Sequence, residues 1–335
     1  DAGLSGQTIT TGAEFGILPT IDQDNLVIDG DIDNDGTADI TIRMQGGSAS
    51  LTLTGGSAID AQDVTIDGVA FDRVGGSGYA IGVGGNVNLT IANSSFTGMQ
   101  NSAISTGEYS SLFITGTDFD SYFTSGSAGA IRLGANGYAS ISDSSFTNNN
   151  SADYGGAIYG NSSTIDITNS SFTGNQAYNG SGGAIYLSGN SALSLTDTDF
   201  ASNSANSYGG AISVYGVGMS ISGGNFDQNS TNGIGGALFL SAGGELDIVG
   251  ASFTGNSSGG SGGAIYRRFG DSYIANTLFA GNDSDDRGGA VNFWYASGEI
   301  VNSTFYGNEA NSGGGAIGHQ YSGTLFVHSS TFTGN

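Results

Sequence analysis

Residues 171–188 read SFTGNQAYNGSGGAIYLS and hold the two short motifs that decide the fold. One motif is Phe172-Thr-Gly-Asn175 and the other is Gly182-Gly183-Ala184-Ile185. Both return at intervals of roughly 26 residues, a period that indicates stacked repeats rather than an ordinary globular domain. The phenylalanine of the first motif recurs as Phe146, Phe172, Phe200, Phe226, Phe253, Phe279, Phe305 and Phe332.

A strand pattern precedes each of these phenylalanines. The residue five positions earlier is aliphatic in all copies, and the residue two positions before that is mostly apolar, with polar or small residues between. Such an alternation is typical of a strand with one buried face. Because one short coil cannot bury this face alone, successive coils must stack. The sequence therefore predicts an all-β fold, a right-handed parallel β-helix of about 11 to 12 coils, its handedness following that of parallel crossovers.

Stacked coils place like residues above one another, about 4.8 Å apart, and so predict three ladders inside or along the rod. Asparagine suits a ladder at a turn because it tolerates left-handed backbone and its amide can bond the coils above and below. The predicted members are Ile167, Ile221, Ile248 and Ile274; Phe172, Phe200, Phe226 and Phe253; and Asn175, Asn203, Asn229 and Asn256.

The repeat runs without a break from about residue 58 and predicts one long domain. We assign residues 1–45 to an N-terminal capping segment and residues 46–335 to the β-helix. The sequence stops within a repeat unit, so we expect the β-helix to continue beyond Asn335. Open ends of a β-helix carry unpaired strand edges, which makes head-to-tail self-association one expected interaction.

The composition is strongly acidic. Six arginines, with no lysine, stand against 30 acidic side chains, and the net charge is −24 with the two histidines neutral. This charge repels nucleic acid and anionic lipid, and the absence of cysteine removes disulfides and thiolate sites. No apolar run is long enough to span a membrane as a helix. We therefore expect no nucleic-acid partner and no membrane insertion by this segment.

The paired motifs resemble the repeats of the chlamydial polymorphic outer-membrane proteins. The best matches are the pair quoted above and Gly262-Gly263-Ala264-Ile265 with Phe253-Thr-Gly-Asn256. The resemblance covers residues 130–335 well and residues 58–129 loosely, where Met99 and Tyr122 replace the ladder asparagine. It implies a β-helical stalk or passenger of a bacterial surface protein, secreted and often adhesive, with a glycan or protein on a host or other cell as its partner.

An acidic loop near the start predicts a calcium site. Three aspartates at alternate positions followed by Gly36 let carboxylates converge where the chain turns sharply, as in the calcium loops of dockerins, which this loop is similar to. The alternative is an acidic turn between two strands, because Ile42 stands where an EF-hand has its bidentate glutamate. The predicted ligands of Ca²⁺ are Asp31, Asp33, Asp35, Thr37 through its carbonyl, and Asp39.

A partial aromatic stripe follows the second motif. If each motif isoleucine points inward, the next residue points outward and stacks on its counterpart in the neighbouring coil. Aromatic faces on a rigid sheet can bind sugar rings or a protein partner, although aromatic residues also simply favour strands. The predicted ligand-binding stripe is Tyr159, Tyr186, Phe239 and Tyr266.

Parallel β-helices also carry polysaccharide lyases and glycosidases, which need clustered carboxylates with an arginine, or paired acids, on one exposed face. The outward row four residues before each phenylalanine, from Asp67 to His328, holds no such constellation. The arginines at 267, 268 and 287 and the acids at 285 and 286 fit a surface ion pair better than a catalytic cluster. An ice-binding rod would need a regular threonine face, and that row is interrupted.

We therefore predict a non-catalytic, extracellular structural or adhesive rod: a surface adhesin passenger, a stalk, or a matrix or filament subunit. The alternatives are a polysaccharide-active enzyme and a carbohydrate-binding module on the same scaffold.

Overall fold

The computed structural model describes residues 7–12, 20–21, 25–31, 38–45, 51–53, 62–74, 78–98, 100–216, 218–241 and 243–335. These residues form parallel strands joined by turns, with no helix among them. A full coil visits four sheets, which we call C, A, D and B in chain order, and each strand pairs with its counterpart one coil away. The predicted all-β parallel β-helix with coils of roughly 26 residues is confirmed.

Sheets A and B contain 13 and 12 strands among the described residues. The strands of sheet A are Gln7–Gly12, Ile40–Gln45, Val69–Val74, Ser95–Thr97, Asp118–Asp120, Ser145–Thr147, Ser171–Thr173, Asp199–Ala201, Asn225–Asp227, Ser252–Thr254, Leu278–Ala280, Thr304–Tyr306 and Thr331–Thr333. The strands of sheet B are Thr20–Ile21, Leu51–Leu53, Ile81–Val83, Ile104–Thr106, Ile131–Arg132, Ile158–Asn161, Ile185–Ser188, Ile212–Val214, Leu238–Ser241, Ile265–Gly270, Val291–Ala296 and Ile317–Gln320.

Sheets C and D contain 12 and 8 strands among the described residues. The strands of sheet C are Leu26–Asp29, Gln62–Asp67, Val87–Ala92, Ser111–Thr115, Tyr138–Ser142, Thr164–Thr168, Ala192–Thr196, Gly218–Ser222, Glu245–Val249, Ser272–Ala275, Gly298–Val301 and Leu325–His328. The strands of sheet D are Phe123–Thr124, Asn150–Ser151, Gln176–Ala177, Ser204–Ala205, Ser230–Thr231, Ser257–Ser258, Asp283–Ser284 and Glu309–Ala310.

The motif phenylalanines form one column inside the rod. The ring centroids of Phe172 and Phe200 are 4.8 Å apart, and those of Phe226 and Phe253 are 4.6 Å apart, with nearly parallel planes. This ring spacing equals the separation of neighbouring strands, so stacking and backbone pairing reinforce each other. All four rings are fully buried. The aliphatic ladder is buried in the same core and includes Ile167, Ile221, Ile248 and Ile274.

The asparagine ladder ties the coils together through buried side-chain hydrogen bonds. The Nδ2 of Asn203 donates to Oδ1 of Asn229 at 3.0 Å and to the carbonyl of Phe172 at 2.9 Å, while its backbone N–H donates to the same Oδ1. The left-handed backbone that we expected at the asparagine lies one residue earlier, at Gln228 before Asn229. The ladder residues Asn175, Asn203, Asn229 and Asn256 are all fully buried.

The glycine pair of the second motif has two separate roles. Gly182 has a φ of 68°, a conformation that glycine adopts without steric cost. A Cβ on Gly183 would lie 2.0 Å from the carbonyl oxygen of Gly210 in the next coil. The first glycine therefore turns the chain, and the second lets adjacent coils approach.

The strands of the first 45 residues continue the sheets of the repeats. Gln7–Gly12 pairs with Ile40–Gln45, which pairs with Val69–Val74, all in sheet A. Leu26–Asp29 likewise pairs with Gln62–Asp67 in sheet C. The described strands thus cross the proposed boundary at residue 45 without a change of sheet, and a capping role for residues 1–45 stays a prediction.

Candidate functional site

The predicted aromatic stripe lies on the outer face of sheet B. The ring centroids of Tyr159 and Tyr186 are 5.8 Å apart, and those of Phe239 and Tyr266 are 5.9 Å apart. Ser213 separates the two pairs in the register of the sheet. The structure therefore brings the four rings onto one face as two stacked pairs, and the ring of Tyr215 lies between them, 5.9 Å from Tyr186 and 5.3 Å from Phe239.

Other aromatic rings cover much of this stripe. Tyr154 packs on Tyr186 with 4.5 Å between ring centroids, and Tyr208 packs on Phe239 at 4.7 Å. Phe239 and Tyr266 are only 2% and 6% exposed, so these two rings of the predicted stripe offer little surface to a ligand. The stripe is mostly a packed aromatic layer, because loops between sheets D and B fold onto it.

Burial in this layer suppresses ionisation of its phenols. Desolvation raises the pKa of Tyr186 to about 12, and the neighbouring hydroxyls of Tyr154 and Tyr159 add to this shift. Desolvation also raises the pKa of Tyr266 to about 12, against an opposing effect of Arg268. Both phenols therefore stay neutral to a higher pH than a free tyrosine does.

An exposed set of rings lies farther along, at the corner where the chain leaves sheet B for sheet C. We call Phe269, Trp294, Tyr295 and Tyr321 the corner ladder. The rings of Tyr295 and Tyr321 stack at 4.6 Å with planes within 10°, Trp294 meets Tyr321 edge-on at 4.5 Å, and Phe269 lies 6.1 Å from Tyr295. Phe269, Tyr295 and Tyr321 are 40%, 44% and 64% exposed.

The backbone of the corner ladder is unusual for aromatic residues. Phe269, Tyr295 and Tyr321 have φ values of 65°, 51° and 69°, in the left-handed region that bulky side chains rarely adopt. Earlier coils place Tyr109, Asn136, Ser162 and Gly189 in this conformation at the same corner. The three aromatic residues therefore hold a strained conformation that projects their rings from the rod.

A groove of about 410 Å³ runs along the outer face of sheet C beside the corner ladder. Asp271 follows Phe269 by two residues and Ser297 follows Tyr295 by two, so the ladder forms one border of the groove. We call this the acidic groove. The charged and aromatic side chains that line it are Glu245, Asp247, Asp271, Tyr273, Glu299 and Phe326.

A buried arginine supports the wall between ladder and groove. Arg267 is fully buried, and its Nη2 donates to the backbone carbonyls of Gly244 and Asp271. Desolvation lowers the pKa of Arg267 to about 10, with Asp271 opposing the shift. Arg267 therefore holds two backbone carbonyls in place from inside the rod. It is not one of the residues that line the acidic groove.

The other arginines near this part of the rod, Arg268 and Arg287, do not line the groove. Arg287 lies 3.7 Å from Asp286 in an exposed ion pair, so the surface-pair interpretation is confirmed for this arginine and is wrong for the buried Arg267. The guanidinium of Arg268 lies 5.1 Å from the ring centroid of Phe269, in a cation–π contact. Within the part of the chain that the structure describes, no group of three or more acidic, histidine or cysteine side chains could hold a metal ion.

Most of the predicted calcium loop lies outside the described residues, namely Asp33, Asp35 and Thr37. At its two ends the backbone N–H of Asp31 donates to Oδ1 of Asp29 at 3.1 Å, and the N–H of Asp39 donates to the carbonyl of Gly30 at 2.8 Å. Calcium binding therefore stays a prediction.

We expect calcium to raise the melting temperature of the wild-type protein and chelation with EDTA to lower it, because a metal that binds only the folded state stabilises that state. The Asp33→Ala variant should show neither effect. Thermal melts of both proteins with calcium and with EDTA check this, and four identical curves would leave the loop as an acidic turn.

Of the corner ladder, the sequence indicates only an aromatic spot at Trp294 and Tyr295, and the acidic groove was not predicted. The groove residues Asp247, Tyr273, Glu299 and Phe326 each lie six positions before a motif phenylalanine, between the two apolar positions of the strand. Reading that outward row coil by coil would have found them. The ladder had a weaker signal, an aromatic run at Phe293-Trp-Tyr295 that lengthens one strand of sheet B.

Comparison with protein families identifies the class. The chain belongs to the right-handed β-helix family, whose model, described as a right handed beta helix region, matches residues 42–200 and 79–253. The right-handed winding inferred from parallel crossovers agrees with this membership. Residues 250–266 and 302–320 also match the Chlamydia polymorphic membrane protein repeat, which confirms the resemblance of the paired motifs.

Repeats of this kind suggest a surface-exposed protein of the autotransporter-passenger type. None of the curated proteins compared with the chain matches it. The described residues include no helix that is long and apolar enough to cross a membrane.

Proposed function

We propose that this chain is an adhesive, non-catalytic section of an extracellular surface rod, and that it binds a glycan through the corner ladder. The observation that carries the proposal is the run of exposed aromatic rings on successive coils at one corner. Aromatic faces on a rigid scaffold stack on sugar rings and lose little conformational entropy on binding.

The strained backbone of the ladder supports a binding role over a purely structural one. A bulky residue in left-handed backbone costs about 1 to 3 kcal/mol. Other coils fill this corner with Asn136 and Gly189, which adopt left-handed backbone at little cost, or with single strained residues, Ser162 and Tyr109. Phe269, Tyr295 and Tyr321 retain the strain in three successive coils and bring three rings together, which is the pattern expected of residues kept for recognition.

A polysaccharide-active enzyme is the second candidate, because the acidic groove holds four carboxylates on one face. Glycoside hydrolases keep one carboxyl protonated by placing it in an apolar pocket, and lyases use an arginine beside the acids. Here Glu245, Asp247 and Glu299 are exposed, and no arginine lines the groove. These features favour binding over catalysis.

Changing Phe269, Tyr295 and Tyr321 together to asparagine should lower glycan affinity roughly a hundredfold, at about 1 kcal/mol for each stacked ring. Asparagine tolerates left-handed backbone, so the fold should persist. Binding to a glycan panel, read by fluorescence of Trp294, the only tryptophan, measures this effect. The matched control is Tyr109→Asn, since Tyr109 is 62% exposed at the same corner with φ 59° but lies several coils away.

Unchanged affinity in the triple variant would contradict binding at the ladder. The same panel should be assayed for new chain ends, because depolymerisation by the wild-type protein would contradict the non-catalytic assignment. Head-to-tail self-association and a protein receptor on another cell stay predictions.

A further inference from the structure

The outer row of the acidic groove alternates acid and aromatic residues along the rod. Asp247 pairs with Tyr273, Tyr273 with Glu299, and Glu299 with Phe326 in the register of sheet C. Tyr273 and Phe326 are 40% and 55% exposed, and both acids are exposed as well. Neighbouring coils lie about 4.8 Å apart, so like residues repeat about every 9.6 Å.

The charge of the groove selects a cationic occupant. Its lining holds four carboxylates and no basic side chain. The nearest buried cation, Arg267, is fully enclosed and bonds only backbone carbonyls, so it offers no surface to a ligand. The protein as a whole carries a net charge of −24, which adds to the attraction of a positively charged molecule.

The backbone of the groove favours a polymer of rings over a peptide. Extended peptides commonly bind by adding a strand to an open sheet edge. Glu245–Val249, Ser272–Ala275 and Gly298–Val301 each pair with a strand on both sides, so this face has no such edge. Recognition must therefore use side chains, here aromatic faces and carboxylates in alternation.

From this arrangement we infer that the acidic groove and the corner ladder together bind an extended amino-sugar polymer that lies parallel to the rod axis. Sugar rings stack on Tyr273, Phe326 and the ladder, and protonated amines contact Asp247 and Glu299. The two-coil repeat of like residues is comparable to the two-residue repeat of an extended β-linked polysaccharide. This inference rests on the proposed glycan binding and adds the chemical class of the glycan.

The test compares a β-linked glucosamine oligomer with its fully N-acetylated form, at a pH where the sugar amines are protonated and the carboxylates ionised. The wild-type protein should bind the amino form roughly tenfold more tightly at low salt, the effect expected of a few exposed ion pairs. Salt should weaken this preference. Titration calorimetry and Trp294 fluorescence provide two readouts.

Asp247→Asn with Glu299→Gln removes two of the four groove carboxylates and should lower the preference for the amino form severalfold. The matched control is Asp283→Asn with Glu309→Gln, which removes two exposed acids paired on sheet D, away from the groove. This control should keep the preference and so separates groove contacts from overall charge.

The possible results distinguish failure of the amino-sugar inference from failure of the proposed glycan binding. Equal affinity for the two oligomers, or an unaltered preference in the groove variant, would overturn the amino-sugar assignment and leave ladder binding intact. Retention of both affinities after loss of the three ladder rings would instead overturn the proposed function. Displacement of the bound oligomer by an equal concentration of oligolysine would show that binding depends on positive charge alone, and would overturn the inference.

Discussion

The Ile221→Asp variant is expected to lose the fold of the central coils. Ile221 is buried and lies between Leu195 and Ile248 in the register of sheet C. An aspartate there would place an unpaired carboxylate in an apolar column, which is among the most costly changes a core can undergo. Each coil is stabilised mainly by its two neighbours, so the damage should spread to the adjacent coils.

The expected loss is about 4 kcal/mol or more in the free energy of unfolding. Chemical denaturation followed by circular dichroism measures it, and limited proteolysis should cut first near the substituted coil. Ser222→Asp is the matched control because Ser222 is exposed in the same strand and pairs with Thr196 and Val249. It should change stability by less than about 0.5 kcal/mol. A variant at Ile221 with wild-type stability would contradict the burial of that ladder.

The ladders could be predicted because stacking makes each core position an average over many coils. A single isoleucine carries little information, but an aliphatic residue recurring at the same place in each coil fixes which side of the strand is buried. The same averaging fixed the register of Phe172 on Phe200 and of Asn203 on Asn229. Each of these positions recurs once per coil along the rod axis. The regular spacing of the motifs in the sequence therefore shows which residues stack on one another.

The core departs from the repeated aliphatic pattern where a small residue in sheet C is matched by a large residue in sheet B. Ser272 and Gly298 replace the leucine expected in sheet C, while Arg267 and Phe293 enlarge the facing position in sheet B. A Cβ on Gly298 would lie 2.7 Å from Cζ of Phe293, so the large ring fills the space that the glycine leaves. Reading one position at a time could not reveal this exchange, because the two residues belong to different sheets.

The candidate site was harder to predict because outward residues are free of the repeat constraint. Alternation of Asp247, Tyr273 and Glu299 becomes visible only when strand register is known. Tyr295 in left-handed backbone contradicts the strand preference of tyrosine, so local propensity points away from the corner ladder. The burial of Phe239 likewise depends on Tyr208, which arrives from a loop rather than from the sheet.

The second large effect is expected at the asparagine ladder, in the Asn229→Leu variant. Oδ1 of Asn229 accepts from the backbone N–H and the Nδ2 of Asn203, and its Nδ2 donates to the carbonyl of Phe200 and to Oδ1 of Asn256. Leucine has a similar volume but makes none of these bonds. The partners in the neighbouring coils would stay buried without their bonds, at a cost of about 4 kcal/mol at about 1 kcal/mol for each bond.

Asn229 also allows a test of why asparagine occupies this turn, whether for left-handed backbone or for its side-chain hydrogen bonds between coils. If left-handed backbone were the reason, Asn229→Gly would be harmless; because the positive φ belongs to Gln228, glycine should destabilise the protein as leucine does. Asn232→Leu is the control, since Asn232 is exposed and donates one side-chain bond to Asn206. Denaturation midpoints should fall strongly for both changes at Asn229 and little for the control. A stable Asn229→Leu variant would show that stacking of Phe226 on Phe200 holds the coils together without the ladder.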